Sequence, residues 1–320
     1  MLLCFQITST FPLSLFRECA EKLLDLQAIP GRYFFELLAK FTKDDLEKEK
    51  FIEFTTSEGQ QDLFDYCNRP RRTSLEVLND FSIHTVPNIP LEYLFDLFPM
   101  IKPRSFSIAN SLKMVPNKIQ LLVAVVKYKS KLVEPRLGLC SNFLATCSPG
   151  HQIPIWIKKG TLRLPQDPKL PLIMIGPGTG VAPFRSIIQE EISSNESKTL
   201  ILIFGCRSQF KDYYFEKEWL EVKKNAKCDF KLFTAFSRDQ DDKHYVQHVI
   251  EENKSYLGDL IVNHDAFVYI AGNAKQMPDQ VKDALIEAIA SVDEDSSKSE
   301  ARSFLNDMLQ QKRLQMETWS

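Results

Sequence analysis

The carboxyl-terminal half of this chain predicts an α/β fold, a doubly wound parallel sheet, and two observations carry that prediction. Apolar runs recur at residues 172–175, 200–204, 230–236 and 266–270, with helix-like segments between them. Near-continuous runs such as LILIF suit strands covered on both faces, and helices in the gaps imply parallel pairing through right-handed crossovers. The first run also passes directly into a glycine-rich turn and a helix, GPGTGVAPFR at 176–185. A strand, a glycine turn and a helix start, in that order, make an anion site.

Ligands of such sheets bind at the carboxyl ends of the strands, so each strand end is read in turn. After the first, Gly176, Gly178 and Gly180 allow backbone angles and close approaches that a side chain would block, leaving amides free to face an anion. Pro183 stands in the first turn of the following helix, where a missing N–H costs nothing, and the helix adds its positive dipole end. The spacing is not GxGxxG, and a turn that simply needs three glycines accounts for the run equally well. After the second strand comes Gly205-Cys206-Arg207-Ser208, in which Arg207 either meets a pyrophosphate or is a plain surface cation. After the third come Ser237, Arg238 and Asp239, then Lys243-His244-Tyr245-Val246-Gln247. A hydroxyl, two cations, a phenol and an amide suit a phosphomonoester, which selects a 2'-phosphorylated ribose over a bare diol. Asp239, Asp241 and Asp242 count against that reading on charge alone. After the fourth strand, Ala271-Gly272-Asn273-Ala274 is small enough for a nicotinamide ribose to pass close by, and Met277-Pro278 opens the next helix.

The ordered series GPGTGVAPFR, FGCR, FSR with KxYVQ, and an AGN turn resembles the NADP-binding domain of the ferredoxin-NADP reductase superfamily. Within it the chain is similar to the diflavin reductases, relatives of cytochrome P450 reductase, along nearly its whole length. The runs at 212–219, 271–275 and 317–320 are most similar to the branch that serves cytosolic iron-sulfur protein assembly. The resemblance implies NADPH and FAD as cofactors, with Gly178, Thr179, Gly180, Arg207, Ser237, Arg238, Lys243, Tyr245, Gln247 and Asp279 contacting NADP.

On the same resemblance the amino-terminal half holds the flavin. Arg104-Ser105-Phe106-Ser107 is similar to the family's RxYS motif, in which the arginine pairs with the FAD pyrophosphate, the ring stacks on the isoalloxazine and the last serine lies near flavin N5. Phe106 keeps the stacking face and loses the phenol. Gly138-Leu139-Cys140-Ser141 resembles the turn that opens a short helix beneath the FAD phosphates, with Ser141 both capping the helix and donating to phosphate. Cys140 there contributes backbone, and Arg72, last of a basic cluster at 69–72, matches a residue that reaches FAD. As bare sequence these are a strand with a surface arginine and a solvated charge run. Trp319 resembles the aromatic that covers the flavin until nicotinamide displaces it. Glu317 stands where relatives often carry an aspartate near hydride transfer, and Ala271 where many carry a cysteine. Ser107, Glu317 and Trp319 are therefore the candidate catalytic residues.

The resemblance divides the chain into a helical connecting insertion at 1–100, an incomplete remainder of the FAD-binding antiparallel β-barrel at 101–165, and the NADP-binding domain at 166–320. Helical apolar spacing at Phe16, Leu23, Leu24 and Leu26, then Phe34, Phe35, Leu37 and Leu38, fits the insertion. Alternation at 119–126 predicts a barrel strand, and the prolines of 158–171 predict a stiff linker. The acidic, serine-rich stretch 291–299 predicts a surface loop. No equivalent of the flavodoxin-like FMN module or of the first barrel strands is present, so the chain is expected to be a piece of a longer enzyme in which FMN also serves.

Composition narrows the function classes. A length of 320 residues suffices for about two domains. A formal charge of -2 with no basic, aromatic-interleaved stripe argues against nucleic acid. Seven scattered cysteines without CxxC spacing fit a reducing, cytoplasmic compartment and no structural zinc, and the histidines at 84, 151, 244, 248 and 264 form no ligand motif. Residues 1–5 lack the features of a signal peptide, and no run of about 18 apolar residues predicts a membrane span. The expected function is hydride transfer from NADPH to FAD, with electrons passing through an FMN module in cis to an anamorsin-type iron-sulfur protein. The alternatives are a reductase with another acceptor and a catalytically incomplete NADP-binding fragment.

Overall fold

The computed structural model describes residues 13–194, 197–293, 295 and 297–319. The expectations placed on residues 1–5, on the side chain of Phe16 and on Ser320 lie outside the described residues. The chain forms two compact units: one holds the described residues up to 105 together with Val125–Gln152, the other Phe106–Ala124 and the residues from 153 on.

The first unit is mainly helical. Its helices are α1 (Leu13–Lys22), α2 (Arg32–Phe41), α3 (Asp45–Glu53), α4 (Gln60–Leu63), α5 (Ser74–Asp80) and α6 (Leu94–Leu97), with one turn of π-helix at Phe64–Asn68. The spacing of Phe34, Phe35, Leu37 and Leu38 puts all four on the buried face of α2. Phe35 meets Phe51, Phe54 and Tyr66 at ring-centroid distances of 6.0, 4.9 and 6.5 Å. Asp44 caps α3 through the Glu47 amide, and Thr73 and Glu76 form a reciprocal box at the start of α5. A short antiparallel pair, β1 (Lys127–Tyr128) and β2 (Arg136–Leu137), precedes α7 (Leu139–Thr146).

The strand expected at 119–126 is not formed. Those residues contribute one antiparallel bridge, Ile108 with Leu121. Leu121, Val125 and Val126 are exposed, and among the described residues no neighbouring strand supplies a ladder along which the pairing could propagate.

The second unit contains β3 (Leu172–Ile175), β4 (Thr199–Cys206), β5 (Asp229–Phe236), β6 (Phe267–Asn273) and β7 (Leu314–Trp319), all parallel, in the spatial order β5-β4-β3-β6-β7. Its helices are α8 (Val181–Ser194), α9 (Gln209–Asp212), α10 (Glu216–Asn225), α11 (Val246–Glu252), α12 (Lys254–Val262), α13 (Met277–Ala290) and α14 (Lys298–Gln310). Alternate strand residues feed two cores, as a pleat requires. Ile173, Ile175, Ile201, Ile203, Val268 and Ile270 pack with α11 to α14. Leu172, Met174, Leu200, Leu202, Phe204 and Tyr269 pack with α8 and with Trp219 of α10. The sheet is thus doubly wound, and its strand order reverses between β3 and β6.

Two details differ from the sequence reading. The small residues Ala271, Gly272 and Asn273 still belong to β6, because β7 pairs with them. The segment 158–171 has no helix or strand, yet it is tethered rather than free: the Arg163 amide donates to Gln315 Oε1 at 2.7 Å, and the Arg163 carbonyl accepts from Gln315 Nε2 and the Tyr269 hydroxyl at 2.7 and 2.9 Å.

Candidate functional site

The glycine-rich turn lies where the strand order reverses, the position at which open parallel sheets bind ligands. The Gly176 amide still donates to Ile203 O at 3.0 Å, and the chain then turns through Gly178 at φ 58°. Gly180 is required by contact. A Cβ there would stand 2.0 Å from Ala271 O and 2.7 Å from Ala271 C, both main-chain atoms. The turn therefore packs directly against the end of β6, with Gly178 and Thr179 half-buried at its lip.

Beside it, β4 and β5 continue pairing past their ends. Ser237 N donates to Cys206 O at 3.0 Å and Arg238 N to Arg207 O at 2.8 Å, so Arg207 and Arg238 leave the sheet edge as neighbours. Both are exposed, as is Lys243, and none of the three has an ion pair among the described residues. Asp239, which weighed against a phosphate site, accepts from Gln209 N at 2.7 Å, and that amide together with the Ser208 hydroxyl holds its carboxyl below the usual range. Asp212 accepts from the amides of Arg207 and Ser208 at 3.2 and 2.8 Å. These acids thus shape the loop through its backbone. Burial, reinforced by Asp212, pushes the Cys206 thiol up to about 12, so it stays protonated at neutral pH.

Other predicted contacts are placed differently. The Tyr245 ring is exposed, and its amide donates to His248 Nδ1 at 3.2 Å. Gln247 is buried, with its Nε2 donating to Gln280 Oε1 of α13 at 3.3 Å. Asp279 pairs with Lys282 at 2.8 Å. Gly178, Thr179, Gly180, Arg207, Ser237 and Arg238 are brought to one edge, with Lys243 and Tyr245 on the loop that follows β5, whereas the side chains of Gln247 and Asp279 have protein partners.

β7 docks the end of the described chain. Glu317 stands opposite Ala271 and Trp319 opposite Asn273, and Trp319 O accepts from Ala274 N at 2.8 Å. Trp319 is 37% exposed, so a strand carries its ring without burying it.

The residues expected to touch FAD belong to both units. Phe106 and Ser107, half-buried, lie in the second, as does Trp319; Arg72, Arg104, Ser105 and Gly138 to Ser141 lie in the first. Arg72 donates to Asp80 at 2.6 Å and stacks on Tyr66, its guanidinium 4.4 Å from the ring centroid. Arg104 bonds to the Lys102 carbonyl and lies 3.8 Å from Asp25. Gly138 is the residue before α7, and a Cβ on it would come within 2.7 Å of Ser141 Oγ and Val126 Cβ. The expected capping by Ser141 is corrected: Ser141 sits inside the first turn, and its hydroxyl accepts from Val126 N at 3.0 Å. The amides of Leu139, Cys140 and Ser141 have no acceptor within the helix, which leaves an anion-seeking start. By chemical type, two arginines and a helix start are groups that a dinucleotide pyrophosphate would need, and both arginines here also have carboxylate partners.

Sequence reasoning gave Arg185 no role, although it lies in the quoted motif. Its guanidinium is buried and contacts Glu218, Ala109 and Gln120. The available signal was a cation in the apolar first turns of a helix, which needs partners. Among the described residues no three histidine, cysteine, aspartate or glutamate side chains form a metal cluster, and no helix is long and apolar enough to cross a membrane.

Residues 10–143 match the family model for an FAD binding domain, and residues 174–283 match that for an oxidoreductase NAD-binding domain. The chain is 54% identical over 307 residues to NADPH-dependent diflavin oxidoreductase 1 of Danio rerio, covering 95% of this chain and 51% of that protein. It is 50% identical over 306 residues to the Xenopus laevis protein of the same name, and 40% identical over 296 residues to that of Schizosaccharomyces pombe, covering half of each. Over nearly its whole length the chain is similar to the NADPH-dependent diflavin oxidoreductases. It spans about half the length of the relatives it matches, and it carries the matches to an FAD binding domain and an oxidoreductase NAD-binding domain. The glycine turn and both arginine-bearing strand ends fall inside the NAD-binding match, while Trp319 lies beyond it.

Proposed function

We propose that this chain is the hydride-accepting half of a diflavin reductase, taking hydride from NADPH onto FAD. The observation that carries this reading is the contact of Gly180 with Ala271, beside the unpaired Arg207 and Arg238. A dinucleotide laid across the carboxyl edge would place its pyrophosphate on the turn and the amino end of α8. Arg207, Ser237, Arg238, Lys243 and Tyr245 would hold the 2'-phosphate, so NADPH is selected over NADH. Arg72, Arg104 and the first amides of α7 would hold the FAD phosphates, and Phe106 and Ser107 would face its ring system. FAD, when bound, supplies the two-electron acceptor that releases electrons singly. Trp319 would shield the reacting face until nicotinamide enters, and Glu317 would stand at the rim of that position. In this reading residues 1–100 form the connecting insertion, 101–165 the barrel remainder and 166–320 the NADP-binding domain.

Further steps belong to the longer enzyme. The relatives are diflavin enzymes of about twice this length, which supports an FMN module in cis as the next carrier. The sequence runs at 212–219 and 271–275 support an anamorsin-type iron-sulfur protein as acceptor, and a cytoplasmic place in iron-sulfur cluster assembly. A second reading, NADP binding without turnover, draws support from the two-residue length of β1 and β2. Incubation with FAD separates the two. The first reading expects a yellow protein that bleaches anaerobically with NADPH, whereas a colourless chain that binds only NADP would establish the second.

A further inference from the structure

Arg185 is 8% exposed, and its Nε and Nη1 are both hydrogen-bonded. Its Nε lies 3.0 and 2.8 Å from the two carboxylate oxygens of Glu218, its Nη1 donates to Ala109 O at 2.6 Å and to Gln120 Oε1 at 2.7 Å, and its guanidinium is 4.5 Å from the Phe215 ring centroid. Ala109 and Gln120 are the hydrogen-bonded pair of a small hairpin closed by the bridge of Ile108 with Leu121. The next residues of α8 grip the same hairpin. Ser186 Oγ donates to Asn110 O at 3.0 Å, Gln189 Oε1 accepts from Ser111 N at 2.9 Å, and Glu190 bonds to the Ser111 hydroxyl. Gln189 Nε2 donates to Glu218 at 2.8 Å, which closes the network. A guanidinium this buried is tolerated only with its charge and N–H groups satisfied, so the attachment is directional.

Resting on the NADPH:FAD reading, we propose that Arg185 is a positioning residue for hydride transfer. It fixes Phe106 and Ser107 relative to the glycine-rich turn. Ser107 is two residues before Ala109, within about 7 Å along an extended chain. Arg185 is five residues after Gly180, about 7.5 Å along a helix. One stretch of α8 thus ties the flavin-facing residues to the nicotinamide cradle, and rate falls on the order of a hundredfold for about 1 Å of misplacement.

The test compares the wild-type chain with Arg185→Lys and with the double variant Gln120→Ala/Ser186→Ala, which leaves the pairing of Arg185 with Glu218 in place. Three quantities are read: hydrogen exchange of the Ala109 and Ser111 amides without cofactor, calorimetric affinity for 2',5'-ADP, and anaerobic reduction of bound FAD by NADPH. Exchange should rise about tenfold as local opening becomes easier. Affinity for 2',5'-ADP should stay within about twofold, while the reduction rate falls on the order of a hundredfold at an unchanged half-saturating NADPH concentration. A loosened hairpin with an unchanged rate overturns the proposal. So does an equal loss of 2',5'-ADP affinity, or an Arg185→Lys chain that fails to fold while the double variant reduces FAD at the wild-type rate. A wild-type chain that takes up no FAD, whether or not it binds 2',5'-ADP, overturns the NADPH:FAD reading and this role with it; the hairpin outcomes overturn this role alone.

Discussion

Substituting Gly180→Ala perturbs the site at its tightest point. The added Cβ would lie 2.0 Å from Ala271 O, 2.7 Å from Ala271 C and 3.2 Å from Gly272 Cα. Ordinary contact needs about 3.5 Å, so the turn and the end of β6 must part by about 1.5 Å. All three atoms are main chain, and none can rotate away. Ala271 is also paired in register with Glu317, so the displacement carries into β7. Overpacking of this kind costs about 1–3 kcal/mol, which lowers Tm by about 2–12 °C for a unit of this size. Displacing the cradle by more than about 1 Å should slow NADPH-dependent flavin reduction on the order of a hundredfold. Thermal melts, NADP titration calorimetry and stopped-flow reduction read these effects. Gly160→Ala, outside any helix or strand, without a positive φ and with nothing within 4 Å of a built Cβ, is the comparison and should change little. Wild-type Tm, NADP affinity and reduction rate in Gly180→Ala would refute the assignment of the turn as the tight wall of the site.

Arg238→Ala should weaken NADPH binding about tenfold and leave NADH binding unchanged, since a charge-assisted bond contributes about 1.5–3 kcal/mol before discounting for exposure; equal losses for both coenzymes, read by titration, contradict a 2'-phosphate contact. Trp319→Ala should improve steady-state use of NADH by uncovering the flavin face, and an unchanged coenzyme preference would count against a shielding role. The Lys113 ammonium at 2.6 Å, followed by the Ser111 hydroxyl, holds the Glu190 carboxyl below its ordinary 4.5. Those contacts are therefore complete above 4.5 and are lost as pH falls through the lowered value. An NMR titration of the Glu190 carboxyl should place its midpoint below 4.5, and a midpoint at or above that figure would show that the contacts do not form in solution.

The parts of the fold that sequence made legible are those where burial constrains both faces. β3, β4 and β6 read as unbroken apolar runs because each is covered by helices on two sides. β7 carries one buried residue, Leu314, on a sheet edge, and in its LQMETW sequence only Thr318 is β-branched, too little to mark it. The alternation at 119–126 pointed to a strand, but alternation specifies a strand only when a partner ladder exists. At the site, the glycine turn was legible because the missing Cβ is itself the structural requirement. The types of Gln247 and Asp279 were legible while their partners were not: Gln280 lies 33 positions from Gln247, and Lys282, three residues on, takes Asp279. Arg185 was opaque because its partners lie 33, 65 and 76 positions away in the chain.

The most direct test of the central claim is stopped-flow bleaching of the FAD-loaded chain under anaerobic conditions, with NADPH, NADH and NADPH deuterated at the transferred C4 position. The account predicts bleaching by NADPH that is faster than by NADH and slower with the deuterated coenzyme. Failure of NADPH to bleach the flavin, or equal rates with all three, would contradict it.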